Sequence, residues 1–153
     1  MAQTGQRVDP YGSFDFLVEI DGITRASFQE ASGFDSTIDV TEYREGGDNE
    51  TLRKLPAKAK YSNIVLKWGT IDGEDPNDPR SLYGWHMQWI KGDISAARKS
   101  GSIIMLDRQG NQKIRWNFVN AWPVKWTGPS FNAKGNDIAI EMLELAHEGL
   151  TRV

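Results

Sequence analysis

Apolar residues occupy alternate positions through residues 113–129, KIRWNFVNAWPVKWTGP: Ile114, Trp116 and Phe118, then Trp122, Val124 and Trp126. Period two is the spacing of a β-strand, whose side chains point alternately to opposite faces. The pattern predicts one long strand, or two that meet at a bend, with these side chains on a common inner face and Asn120 as the break. Lys113, Arg115, Asn117 and Lys125 fall on the other, wet face. A strand of this length exceeds the usual five or six residues. It either wraps a large core or belongs to a sheet that extends beyond one chain.

The rest of the chain reads mostly as strands. Residues 14–20, FDFLVEI, place Phe14, Phe16, Val18 and Ile20 on one face, and Asp21-Gly22 is a strong hairpin signal. Residues 23–30 are expected to pair back, with Ala26 and Phe28 inward, before a bend at Ser32-Gly33. Residues 37–43, TIDVTEY, have Ile38 and Val40 on one face and a polar face of Thr37, Asp39 and Thr41. Residues 44–60, with Gly46-Gly47, Pro56 and mixed charges, read as a long loop, and such loops are usually functional or mobile. Residues 61–68 form a strand with Ile64, Leu66 and Trp68 inward.

One helix is expected next. Asp78 suits its N-cap, Pro79 its first turn and Gly92 its end, and Leu82, Trp85, Trp89 and Ile90 form a single apolar stripe. Residues 102–107, SIIMLD, are apolar on both faces and read as a buried strand. In residues 137–147 the parity of Ile138 and Ile140 differs from that of Leu143 and Leu145, which predicts a bulge near Glu141 and Met142, with a helix as the alternative. The expected core holds Phe14, Phe16, Ile38, Val40, Leu66, Trp85, Trp89, Trp116, Phe118, Trp122 and Trp126. The fold class is mainly β: an antiparallel sandwich or barrel-like subunit with one packed helix.

Composition narrows the function. The chain has 153 residues, enough for one domain with a real core after a loose lead-in over residues 1–12. It has no cysteine, which removes disulfides, thiolate nucleophiles and cysteine-ligated zinc. MAQTGQRVDPYGS has no apolar run, so no signal peptide is expected, and no stretch approaches the roughly 20 apolar residues of a membrane span. The net charge of −3 hides an asymmetry: residues 9–50 hold eleven acids and two bases, and residues 51–126 thirteen bases and six acids. Mixed in the fold, these charges are ordinary surface. Kept apart, they give the complementary surfaces of a head-to-tail assembly.

Chemistry is sparse. The two histidines, His86 and His147, sit in no metal or hydrolase motif, and no GxSxG occurs, so neither a catalytic centre nor a cofactor or metal site is expected. Asp72, Glu74, Asp75 and Asp78 invite a calcium reading but lack the EF-hand spacing, and a solvated loop with a helix cap accounts for them. Arg53, Lys54, Lys58 and Lys60 form a basic run without a nucleic-acid motif, so sequence-specific binding of nucleic acid is not expected. The residues on their own favour a non-enzymatic assembly component, with a small-ligand or carbohydrate-binding β-sandwich as the competing class.

DPYGSFDFLVEIDG, TEYREGG followed by LRKLP and KYSNIVLK, then RWNFVNAWPVKWTGP and IEMLELAHEGL, together resemble the tail tube proteins of contractile phage tails and phage-tail-like injection systems. The resemblance spans most of the chain, with residues 68–80 matching least. It implies a subunit that assembles in hexameric rings, stacked as a hollow tube inside a contractile sheath, each subunit lending hairpins to a central barrel. Implied partners are further copies of the chain, sheath, baseplate or spike and tube-terminating proteins, and luminal cargo. In those terms Thr37, Asp39 and Thr41 are candidate lumen residues. Arg44, Glu45, Arg53, Lys54 and Lys58 are candidates for the contact with the next ring. Lys113, Arg115, Asn117 and Glu141 are candidates for lumen or inter-subunit contacts.

Overall fold

The computed structural model describes residues 12, 15–23, 28–44, 46–47, 51–70, 75–93 and 97–153. In chain order the elements are β1 (Phe16–Ile20), β2 (Glu30–Ser32), β3 (Ser36–Tyr43), β4 (Arg53–Tyr61), β5 (Ile64–Gly69), α1 (Leu82–Ile90), β6 (Lys99–Leu106), β7 (Gln112–Thr127), β8 (Ile140–Ala146) and β9 (Gly149–Arg152). Seven strands make one sheet in the order β1-β6-β7-β8-β5-β2, with β9 also on β7, and β3 and β4 form a separate two-stranded sheet. Every pairing is antiparallel.

The tryptophan-rich stretch is one strand, β7, and it serves both halves of the sheet. β6 runs along one edge from Gln112 to Ala121. The other edge is shared: β9 takes Trp116 to Val119 and β8 takes Trp122 to Thr127. The changeover falls at Asn120, whose φ of 53° is the one positive value on a described non-glycine residue. Asn tolerates this left-handed region better than most residues. Here its side-chain amide donates to Glu148 Oε2 at 2.9 Å, and Glu148 is also paired with Arg98 at 3.1 Å.

The twist at Asn120 changes which residues face inward. Phe118 is buried before it, and Ala121 and Pro123 after it. The expectation of one common face from Ile114 to Trp126 is therefore corrected. Trp122 lies on the alternate face, with its ring 5.5 Å from that of Trp89 on the helix. A register shift between Pro123 and Lys125 then restores the parity, and Trp126 packs against the core opposite Leu143. The bulge expected at Glu141 and Met142 thus sits on the partner strand instead, and Ile64 to Gly69 pair with β8 without a shift. Ile138 lies before β8 and is exposed.

The core gathers Val18 and Ile20 from β1, Ile64, Leu66 and Trp68 from β5, Ile103 from β6, Phe118 and Ala121 from β7, and Leu143 and Leu145 from β8. Leu82 and Trp85 enter it from the helix. Phe16, Trp89 and Trp126 are half-buried against it, and Trp116 and Trp122 are also half-buried. Phe14 lies outside the described residues. Ile90 ends the helix in solvent instead of completing its apolar stripe. The helix cap is Ser81, three residues later than expected: its hydroxyl accepts from Gly84 N at 3.0 Å and donates to Asp78 O at 2.8 Å.

Most of the return strand expected over residues 23–30 lies outside the described residues. β1 pairs with β6, and β2 lies at the far end of the sheet on β5. Asp21-Gly22 does turn, with Gly22 at φ 72°, but Asp21 N bonds to Ser100 O, which ties the turn to β6. Ala26 lies outside the described residues, while Phe28 packs edge-on against Trp68.

Truncating a fully buried aromatic leaves a cavity, and losses of about 3–5 kcal/mol are typical. Phe118→Ala is expected to lower unfolding free energy by about that amount in urea titrations. Val119→Ala, next to it on the exposed face, is expected to change it by less than about 0.5 kcal/mol.

Candidate assembly interface

Residues 44–60 are not one long loop. Their second half is β4, which pairs with β3 from Ser36↔Tyr61 to Tyr43↔Arg53. This hairpin stands off the body: seven of eight residues of β3 and all nine of β4 are exposed. Ile38 is 60% and Val40 58% exposed, so neither belongs to the subunit core, contrary to the sequence expectation. Their alternation is that of a strand with one buried face, but among the described residues nothing covers that face.

The register sorts the hairpin's side chains. Ile38↔Ala59 and Val40↔Pro56 put four apolar groups on one face, continued by Glu42↔Lys54. Thr37↔Lys60, Thr41↔Leu55 and Tyr43↔Arg53 form the other, mostly polar face. A register shift between Ile38 and Val40 places an extra residue on β4 opposite Asp39. Asp39 is ion-paired with Lys60 at 2.8 Å, an exposed pair that contributes little to stability. Thr37, Asp39 and Thr41 therefore share one face, and Arg53 joins it, while Lys54 lies on the apolar one. Arg44 is exposed at the end of β3, Lys58 is exposed on β4, and Glu45 lies outside the described residues.

The hairpin's base is held at two points. Gly33, between β2 and β3, has φ 91°, and a Cβ there would come 2.1 Å from Asn63 O, so only glycine fits. On the other side the His147 ring meets Ser62 O through Nε2 at 3.0 Å and Gly149 O through Nδ1 at 3.2 Å. A neutral imidazole donates to one of these carbonyls and a protonated one to both. Tyr61 and Phe118 flank the same ring, with centroids 5.6 and 6.4 Å away. The strongest polar signal near His147 in the sequence was the residue itself, and nothing local reveals that its partner Ser62 lies 85 positions earlier.

Much of the wet face of β7 is engaged within the chain. Arg115 donates to Glu19 at 3.0 Å and to Asn117 Oδ1 at 3.2 Å, and Ser102 donates to the same oxygen at 2.7 Å. Glu141 accepts from Trp68 Nε1 at 3.0 Å, and Lys113 lies 3.8 Å from Asp107. Asp107 organises the β6–β7 turn by accepting from Gln109 N and Asn111 N. The Asn111 amide above all holds its carboxyl below the usual carboxylate range, with Lys113 adding to it.

Of the acidic stretch, Asp75 and Asp78 are described. Asp75 accepts from Asn77 N, and the Arg80 side chain beside Asp78 holds that carboxyl below its usual range. Among the described residues no three His, Asp or Glu side chains are grouped to hold a metal ion, and no helix is long and apolar enough to cross a membrane.

The described residues form a β-body from which a hairpin with one apolar and one polar face projects. The family follows from comparison: the model for T4-like virus tail tube protein gp19 matches residues 12–151, and the chain belongs to that family of structural, non-enzymatic proteins. Solved structures agree. A chain of the extracellular contractile injection system PVC, in the sheath–tube complex in its extended state, is 27% identical over 94% of this chain and 91% of its own, with a TM-score of 0.75. A chain of the PVC sheath/tube terminator in the extended state is also 27% identical, over 95% and 98%, with a TM-score of 0.79. A chain of the anti-feeding prophage baseplate shares the fold, with a TM-score of 0.81 at 23% identity over 96% and 97%. Comparison with curated proteins gave no match.

Two outcomes follow from this geometry. Gly33→Ala should loosen the hairpin base, read as faster amide exchange across β3 and β4 with β6 and β7 unchanged. Asp107 has a depressed native pKa, so its contribution to stability is present above the unfolded value of about 3.9 and is lost as pH falls through the lower native value. The difference in melting temperature between the native protein and Asp107→Asn should therefore be present at neutral pH and vanish in strong acid.

Proposed function

We propose that this chain is the inner-tube subunit of a contractile injection particle or phage tail. Six copies form a ring, and rings stack head-to-tail into a hollow tube inside a contractile sheath. The observation that carries this reading is the β3–β4 hairpin. Among the described residues β3 and β4 pair only with each other, and isolated two-stranded hairpins are marginal in water. Hairpins from successive copies, paired edge to edge, remove those edges and close a barrel. Family membership and the 27% likeness to chains of a sheath–tube complex and a sheath/tube terminator support the same arrangement.

In that barrel the face with Thr37, Asp39 and Thr41 lines the lumen, and Ile38 and Val40 face away from it into protein. The correction to the core list is then local to the isolated chain: these two side chains are buried by assembly instead of by folding. Arg44, Arg53 and Lys54 near the free end of the hairpin, with Lys58 further along β4, meet the acidic residues of the next ring, and Glu45, outside the described residues, is a further candidate for that contact. A heterologous contact of this kind repeats without closing, so another protein must set the tube's length. Sheath, baseplate or spike and a terminating protein are the partners of such a tube, and cargo passes through its lumen. The subunit needs no cofactor, no membrane segment and no sequence-specific contact with nucleic acid, and it functions within the assembled extracellular particle or tail.

Reversing Arg53 and Lys54 to Glu together should reduce stacking without unfolding the subunit. Negative-stain imaging should show fewer and shorter tubes with an unchanged circular dichroism spectrum. Tubes of normal number and length would count against the assignment.

A further inference from the structure

The seven-stranded sheet does not close on itself. β1 and β2 end the strand order and do not pair with each other. Between them lies a slot of about 510 Å³ lined by Phe16, Ala31, Phe34, Ile103, Met105 and Trp116, with Gln29 and Glu30 at its margin. Phe34 stacks on Trp116 at 6.1 Å and 11°, which gives the slot a flat aromatic wall. Its size is that of a small-ligand site, but its lining has few polar groups converging on the interior to fix a ligand's orientation. An apolar segment of protein suits it better.

The same chain offers such a segment. Ile38, Val40, Pro56 and Ala59 share one face of the projecting hairpin, and all four are exposed. Charges match as well. Lys54 continues the apolar strip on the same face of the hairpin, and Glu30 lines the slot. Among the described residues the Glu30 carboxylate meets Lys67 at 3.5 Å in an exposed contact. The hairpin does not fold back to fill its own slot, since its strip stays in solvent.

We propose that the slot between β1 and β2 is the seat for the apolar face of the β3–β4 hairpin of a second copy, with Lys54 of the incoming hairpin set against Glu30. This rests on the tube reading and specifies which surface of one subunit receives the hairpin of another. It makes the contact heterologous: strip and slot are different surfaces, so each copy gives one and receives one. It also accounts for a half-open barrel with an apolar gap, since the gap is filled from outside.

The chain has no cysteine, so introduced thiols report cleanly. Val40→Cys and Ala31→Cys are made as separate proteins, mixed under assembly conditions and mildly oxidised. A disulfide-linked dimer is expected in the mixture and in neither protein alone. Lys54→Cys mixed with Glu30→Cys repeats the test at exposed positions that leave the packing of both surfaces intact. Rings or tubes in the electron microscope with no cross-linked dimer in either pair would overturn the slot assignment and leave the tube reading standing. Neither assemblies nor dimer would overturn both. A disulfide within one chain of the Val40→Cys, Ala31→Cys double variant at high dilution would place the chain's own hairpin in the slot and also overturn the proposal.

Discussion

Strand β7 is the constraint on which the body of the subunit depends. It is hydrogen-bonded to β6 on one edge and to β9 and β8 in succession on the other, so both halves of the sheet hang on it. Its inward side must supply Phe118 to one half and Ala121 to the other, and regular alternation cannot do this across an odd step. Asn120, with its positive φ, supplies the missing half-turn, and the Glu148 carboxylate holds its side chain there. A second irregularity between Pro123 and Lys125 brings Trp126 back to the core.

Much of the fold was legible in the residue pattern. The fully buried alternation of Ile64, Leu66 and Trp68, the doubly apolar β6 and the Leu82–Trp85 helix stripe all came from local periodicity, because each is buried by its own regular element. The break at Asn120 was visible, but its consequence was not: that a left-handed residue reverses the inward parity needs the backbone angle. The pairing of β1 with β6 shows a similar limit. Asp21-Gly22 makes a turn, yet turn chemistry fixes a change of direction and not the strand that accepts the hydrogen bonds.

The assembly interface was legible in a different way. Thr37, Asp39 and Thr41 are on one face, as period two requires. The opposite face was misassigned because Ile38 and Val40 carry the signature of buried side chains, yet both are exposed in this chain. β4 was missed because RKLPAKAKY mixes charges with a proline, a pattern for a loop in a protein whose strands pack on a core. In a hairpin outside the core neither feature is a penalty, since both faces of it are wet in the free chain.

The clasp at the hairpin's root bears on the speed of assembly. Gly33 against Asn63, and His147 between Ser62 and Gly149, leave the two strands little freedom to swing about their origin. A protruding arm on a loose tether would sample many orientations and surrender that freedom on docking, at an entropic cost for every subunit added. An arm set at a fixed angle has already given it up during folding. In the proposed tube, growth would then be governed by encounter and alignment of whole subunits, each arriving with its contact surface already set.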